Sequence, residues 1–166
     1  MVAGVDRPPR DSPASDRASV RDEAEILAAL DLADTVFEGS LNGILMVDRS
    51  GTIRLVNRAA ELIFSRTRED LLGTSVDRLV PERFRTTHAV QRDGFFADPR
   101  PRALGAGRVL TGVRMDGREV NIEIGLTPVR TPEGICALVS IVDITERRIR
   151  ERRQETQHAV TKILSE

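Results

Sequence analysis

The spacing of hydrophobic and polar positions changes several times along this chain, and each change marks an element. Ile26, Leu30, Ala33 and Phe37 recur at i, i+4, i+7 and i+11, one face of an α-helix. Asp22 followed by Glu25 resembles a capping-box start, and Gly39-Ser40 stops the pattern, which predicts an amphipathic helix over 23–38. From Leu41 the runs LNGILMVD and TIRLVN flank Arg49-Ser50-Gly51 and read as a β-hairpin. RAAELIFSRTREDLLG is helical in composition and closes at Gly73. Pro81 sits where a first helical residue is tolerated, and ERFRTTHAVQRDGFF reads as a helix with Phe84, His88, Gln91 and Phe95 on one stripe. Asp98-Pro99-Arg100-Pro101 and the glycines at 105 and 107 predict a loop.

The last third has strand character. GRVLTGVRM, EVNIEIGLTPV and ICALVSIVDI are separated by Asp116-Gly117 and Pro132-Glu133-Gly134, both turn signals. Val120, Ile122, Ile124 and Leu126 alternate with Glu119, Asn121 and Glu123, a half-buried strand. Ala137, Val139 and Ile141 alternate with Cys136, Leu138 and Val142, so that strand is apolar on both faces and needs a cover on each. One cover is the central helices; the other is the helix 23–38 or a second subunit. The final stretch is helical, with Ile149, Thr156 and Ile163 seven residues apart, a weak coiled-coil seam. Residues 1–22, rich in Pro, Ser, Arg and Asp, are expected to form a disordered tail.

Composition narrows the function. Among 166 residues, 25 are basic and 26 acidic, so net charge attracts neither nucleic acid nor anionic lipid. Five Phe with no Trp or Tyr leave little for base stacking. The single Cys136 excludes an internal disulfide and a multi-Cys zinc site, and reads as a small core hydrophobe. With no apolar run near the roughly 18 residues of a membrane span and no signal core, a cytoplasmic location is expected. No nucleophile–base pair, phosphate loop or paired carboxylates stand out, and GAGR at 105–108 is too short to cradle a nucleotide. Enzymatic activity is not expected of this chain.

The segments GILMVDRSGTIRLVNRAAELIFSRTREDLLG (43–73), RMDGREVNIEIGLTPV (114–129) and VSIVDITERR (139–148) together resemble a bacterial PAS domain. The resemblance covers roughly residues 33–150 and implies an α+β fold: a five-stranded antiparallel sheet with short helices on one face, here expected over 39–145. The helix 23–38 precedes it and a signalling helix, 146–166, follows. PAS domains sense and relay, which implies a homodimer joined through Ile26, Leu30, Phe37, Ile149 and Ile163, and a downstream output domain, GAF or kinase-like. Asn57 resembles the family's Asn at the start of the first central helix, where it caps amide donors. Asp143-Ile144-Thr145 resembles the DIT signature that joins the last strand to the exit helix. Thr145 is expected to cap that helix, and the junction serves as a relay, as capping chemistry, or both.

The stretch from Pro81 to Gly117 is similar in length and layout to the haem region of oxygen-sensing PAS domains of the FixL type. On that comparison His88 stands at the proximal-ligand position and Arg108 at the position of an Arg that meets bound oxygen. The sequence departs from the pattern at Gly94, where those sensors carry another Arg near a haem propionate. His88 is therefore either a haem ligand or a packed or surface histidine, and Arg108 either a ligand contact or a solvated or ion-paired side chain. With Phe84 and Phe95 these residues make up the candidate pocket. A flavin is disfavoured, since GTSVDRLVP before Pro81 lacks a Cys and the chain lacks Trp and Tyr for stacking.

Overall fold

The computed structural model describes residues 13–104 and 110–164, with side chains placed over 22–104 and 110–158. It divides into two compact units, one through Phe37 and one from Glu38 onward. Among the described residues the first unit is one helix, α1 (Pro13–Gly39), whose last two residues belong to the second unit. It starts ten residues before the expected position, so residues 13–22 are helical and not a tail. Pro13 fits a first helical turn, and Ala14, Arg17 and Ala18 favour helix. Ile26 and Leu30 are exposed on it, and Phe37 is half-buried.

The second unit is an open antiparallel sheet with helices on one face. Its strands are β1 (Gly43–Val47), β2 (Ile53–Val56), β3 (Arg102–Leu104), β4 (Leu110–Val113), β5 (Glu119–Thr131) and β6 (Gly134–Asp143). The order is β2-β1-β6-β5-β3, with β4 also on β5. β5 has 13 residues. β6 occupies one of its edges, while β4 pairs Glu119–Ile122 and β3 pairs Ile124–Leu126 along the other. The sheet therefore has five strand positions, one of them shared by two short strands. The Arg102–Leu104 strand lies in part of the stretch expected to be loop.

β6 lies at the centre, between β1 and β5. On the face toward the helices Ala137, Val139 and Ile141 are buried, while on the other face Leu138 is half-buried and Val142 is exposed. Leu45 lies opposite Val139, Val47 opposite Ala137, and Ile124 opposite Ile141. These residues face α2 (Arg58–Phe64), α3 (Arg68–Leu71), a 3-10 turn at Val76–Leu79 and α4 (Arg85–Ala97). The core forms between the layers, where Ala60, Phe64, Leu71, Leu79, Phe95 and Phe96 meet Val120, Ile122 and the inner residues of β1 and β6.

The single helix expected over 58–73 is two. Ser65 turns into the left-handed region at φ 53 and ends α2. Thr67 and Asp70 then form a reciprocal capping box that starts α3. The helix expected over 82–96 is also split, into a 3-10 turn at Glu82–Phe84 followed by α4. The tight β4–β5 turn is closed by the Arg114 amide donating to Arg118 O at 2.9 Å, with Gly117 at φ +82. The exit helix α5 (Thr145–Leu164) leaves directly from β6.

Candidate functional site

Asn57 is fully buried and is the N-cap of α2. Its Oδ1 accepts from the Ala60 amide at 3.0 Å and from the Ile44 amide at 2.8 Å, while Nδ2 donates to Asn42 O at 3.0 Å. One side chain thus satisfies a helix start and fixes the entry to β1 at once. A Cβ on Gly43 would come within 3.1 Å of the Ala60 backbone, which shows how closely α2 lies on that strand.

His88 lies on α4, half-exposed, and its Nδ1 meets Asp77 Oδ1 at 2.6 Å. Asp77 belongs to the 3-10 turn at Val76–Leu79, and its other oxygen accepts from Arg92 Nη1 at 2.6 Å. Burial pushes the Asp77 carboxyl up, but the bonds from His88 and Arg92 outweigh it and hold the group below its ordinary range. An ionised Asp77 accepts at both oxygens, so Nδ1 of His88 is the donor in this contact, and Nε2 has no hydrogen bond among the described residues. The same Arg92 guanidinium lies against the β1–β2 turn: a Cβ at Gly51 would stand 2.5 Å from Nη1. The Asp77 carboxylate therefore joins its turn to α4, and Arg92 carries the link on to the β1–β2 turn.

The expected pocket stripe does not hold together. Phe95 is buried in the core, its ring 5.4 Å from Phe96 in an edge-on contact. Phe84 lies ahead of α4, is 46% exposed, and carries the Arg83 guanidinium over its ring at 4.6 Å. Phe84 thus stands at the surface just before α4, while Phe95 lies in the core. Arg108 lies outside the described residues.

At the opposite end of the sheet, β6 runs into α5. Asp143 Oδ1 accepts from the Thr145 amide at 2.8 Å, and Oδ2 accepts from Arg114 Nη2 at 3.2 Å. The capping side chain is thus Asp143. Thr145 does not take that part: its hydroxyl is buried without a hydrogen-bond partner among the described residues. The Ile144 amide donates to Asn121 O on β5 at 2.9 Å, and Arg147 pairs with Glu123 of β5 and, at 3.7 Å, with Glu151. Ile149 is 45% exposed on α5, and the side chain of Ile163 lies outside those described.

Asp77, Arg92, Arg114 and Glu123 were not singled out by the sequence. Arg92 stands four residues after His88, a same-face spacing that could have flagged it; the other three carry no local signal. Among the described residues no cluster of three His, Cys, Asp or Glu could hold a metal ion, and no helix is long and apolar enough to cross a membrane.

The family model for the PAS fold matches residues 32–144. The chain belongs to the PAS family. It is 25% identical over 151 residues to the sensor protein FixL of Bradyrhizobium diazoefficiens, covering 89% of this chain and 29% of that protein. It is 30% identical over 128 residues to the signal transduction histidine-protein kinase AtoS of Escherichia coli, covering 74% of this chain and 19% of that one. This PAS chain thus spans less than a third of the length of either relative. Among solved structures, the PAS domain of an HTR-like protein from Haloarcula marismortui superposes with a TM-score of 0.65 at 22% identity, over 75% of this chain and 98% of that one. The PAS domain of nitrogen regulation protein NR(II) from Vibrio parahaemolyticus does so at 0.56 and 21% identity, over 68% of this chain and 98% of that one.

Proposed function

We propose that this chain is the sensory and dimerising module of a larger cytoplasmic signal-transduction protein, and that it relays the state of a ligand or partner through Asp143–Thr145 to α5. The observation that carries this reading is the junction. One carboxylate at the end of the central strand starts the exit helix and holds Arg114 of the β4–β5 hairpin, so a shift of the hairpin against β6 acts directly on the first turn of α5. Both named relatives are longer proteins, one a sensor protein and the other a signal transduction histidine-protein kinase, which supports a kinase-like output domain in the parent protein. On this reading any catalysis belongs to that domain, and two copies associate through Ile26, Leu30, Phe37, Ile149 and Ile163. Hydrogen exchange tests the junction: Asp143→Ala should speed exchange of the amides at 144–148 while leaving β1 and β2 unchanged. Unaltered exchange there overturns the relay.

One observation favours a second reading, a haem-based gas or redox sensor. Proteins that bind a metal through histidine orient the ring by a carboxylate on its other nitrogen, and Asp77 does this to Nδ1 of His88. His88 would then hold the iron through Nε2, and the haem would supply a gas-binding centre. Purified protein should show a Soret band that His88→Ala abolishes. A colourless protein that takes up no added haemin overturns this reading.

A further inference from the structure

The polar face of β5 carries two ion pairs to two different helical segments. Glu119, Asn121 and Glu123 stand at i, i+2 and i+4, on the face opposite Val120 and Ile122. Glu123 is held by Arg147 of α5. Glu119, the first residue of the strand, takes both Nη atoms of Arg83, one of them at 2.9 Å from Oε2. Arg83 precedes α4 directly and is steadied from its other side by the Phe84 ring. Glu119 also lies opposite Val113 in the β4 ladder, next to Arg114, which holds Asp143. Two side-chain contacts with the exit-helix junction therefore lead back to Glu119: along β5 to Glu123 and Arg147, and across the hairpin to Arg114 and Asp143.

We propose that Arg83 is the positioning residue through which the His88-bearing segment 81–97 acts on the exit helix. The fork on Glu119 fixes distance and orientation together, as a guanidinium–carboxylate pair does. It joins the two elements by side chains exposed to water, so the contact can break and re-form without disturbing the core. A displacement of α4 pulls on the start of β5 and reaches the strand residues that grip α5. This proposal rests on the relay reading above and names the input end of it.

The test is hydrogen exchange on the full 166-residue chain, comparing Arg83→Met, the charge-reversed pair Arg83→Glu with Glu119→Arg, and Arg147→Gln. Loss of the fork should speed exchange at 144–148 about two- to fivefold, the range an exposed ion pair supports. The β1 and β2 amides should keep their rates, and the reversed pair should restore the slow exchange. If Arg83→Met leaves 144–148 unchanged while Arg147→Gln speeds it, the coupling through Arg83 is wrong and the relay stands. If neither variant changes it, both fall. Equal acceleration throughout the sheet would make Arg83 a general stabiliser and overturn the proposal.

Discussion

Asp77 and His88, eleven residues apart in sequence, meet at 2.6 Å between Oδ1 and Nδ1, and the second Asp77 oxygen holds Arg92 at the same distance. This carboxylate ties α4 to the turn before it, and through Arg92 to the β1–β2 turn. Replacing Asp77 with Asn removes the charge that both partners face and leaves the Arg92 guanidinium only the more distant Asp93 carboxylate, at 3.8 Å. We expect a loss of about 1–3 kcal/mol at pH 7 by urea unfolding. Because the folded carboxyl is held below its ordinary range, its contribution is complete above the unfolded value and is lost as pH falls through the folded one. The difference between wild type and Asp77→Asn should therefore shrink below pH 4. A gap that stays constant down to pH 2 would contradict this.

Asp48 closes the β1–β2 turn by accepting from the Ser50 and Thr52 amides at 2.9 and 3.0 Å and from Arg54 Nε at 2.6 Å. Burial alone would raise its pKa, but the bonds from the Ser50 hydroxyl, the Thr52 amide and Arg54 bring it down from 3.8 to about 2. A depressed folded value stabilises above the unfolded one, so about 2 kcal/mol is present at pH 7 and is lost between pH 4 and pH 2. Asp48→Asn should be less stable by a similar amount at pH 7 and equal to wild type near pH 2, read by thermal unfolding across pH.

Asn57 has no solvent exposure, and its side chain accepts from the Ala60 and Ile44 amides, so truncation strands donors on both α2 and β1. Asn57→Ala should cost about 2–4 kcal/mol in denaturant unfolding, the sum of a lost cap and an unsatisfied buried amide. A cost below 1 kcal/mol would show that water replaces the side chain.

Gly112 faces the core, and a Cβ there would stand 2.8 Å from Phe64 Cε1. Gly112→Ala should destabilise by about 1–3 kcal/mol through overpacking. Phe64→Leu alone should also destabilise, but the double variant should lose less than the sum of the two, since the smaller side chain clears the clash. Additive losses would place the strain elsewhere.

Ile26 and Leu30 are exposed at 60% and 61% on α1. Exposed side chains of this size in one stripe suit association through the helix. Under the proposed self-association, Leu30→Ser with Phe37→Ser should give a lower average mass by light scattering than wild type at the same concentration. An unchanged mass would remove α1 from the interface.

Period and punctuation made the β1–β2 hairpin, the long β5, the two-faced β6 and the two flanking helices legible, and the family resemblance added the Asn57 cap. These are local properties: side chains alternate along a strand, recur along a helix, and caps act within three residues. The same local rules failed where one residue interrupted a period. Ser65 divides one predicted helix, and the 3-10 turn at Glu82–Phe84 splits the start of another. The polar contacts of the site lay beyond that reach. Asp77 to His88, Arg83 to Glu119, Arg114 to Asp143 and Glu123 to Arg147 join positions 11 to 36 residues apart. No periodicity specifies such pairs. They form because burying the apolar faces of β1, β5 and β6 against α2–α4 fixes where each strand and helix ends, and the charged side chains at those ends pair with whatever the packing brings within reach.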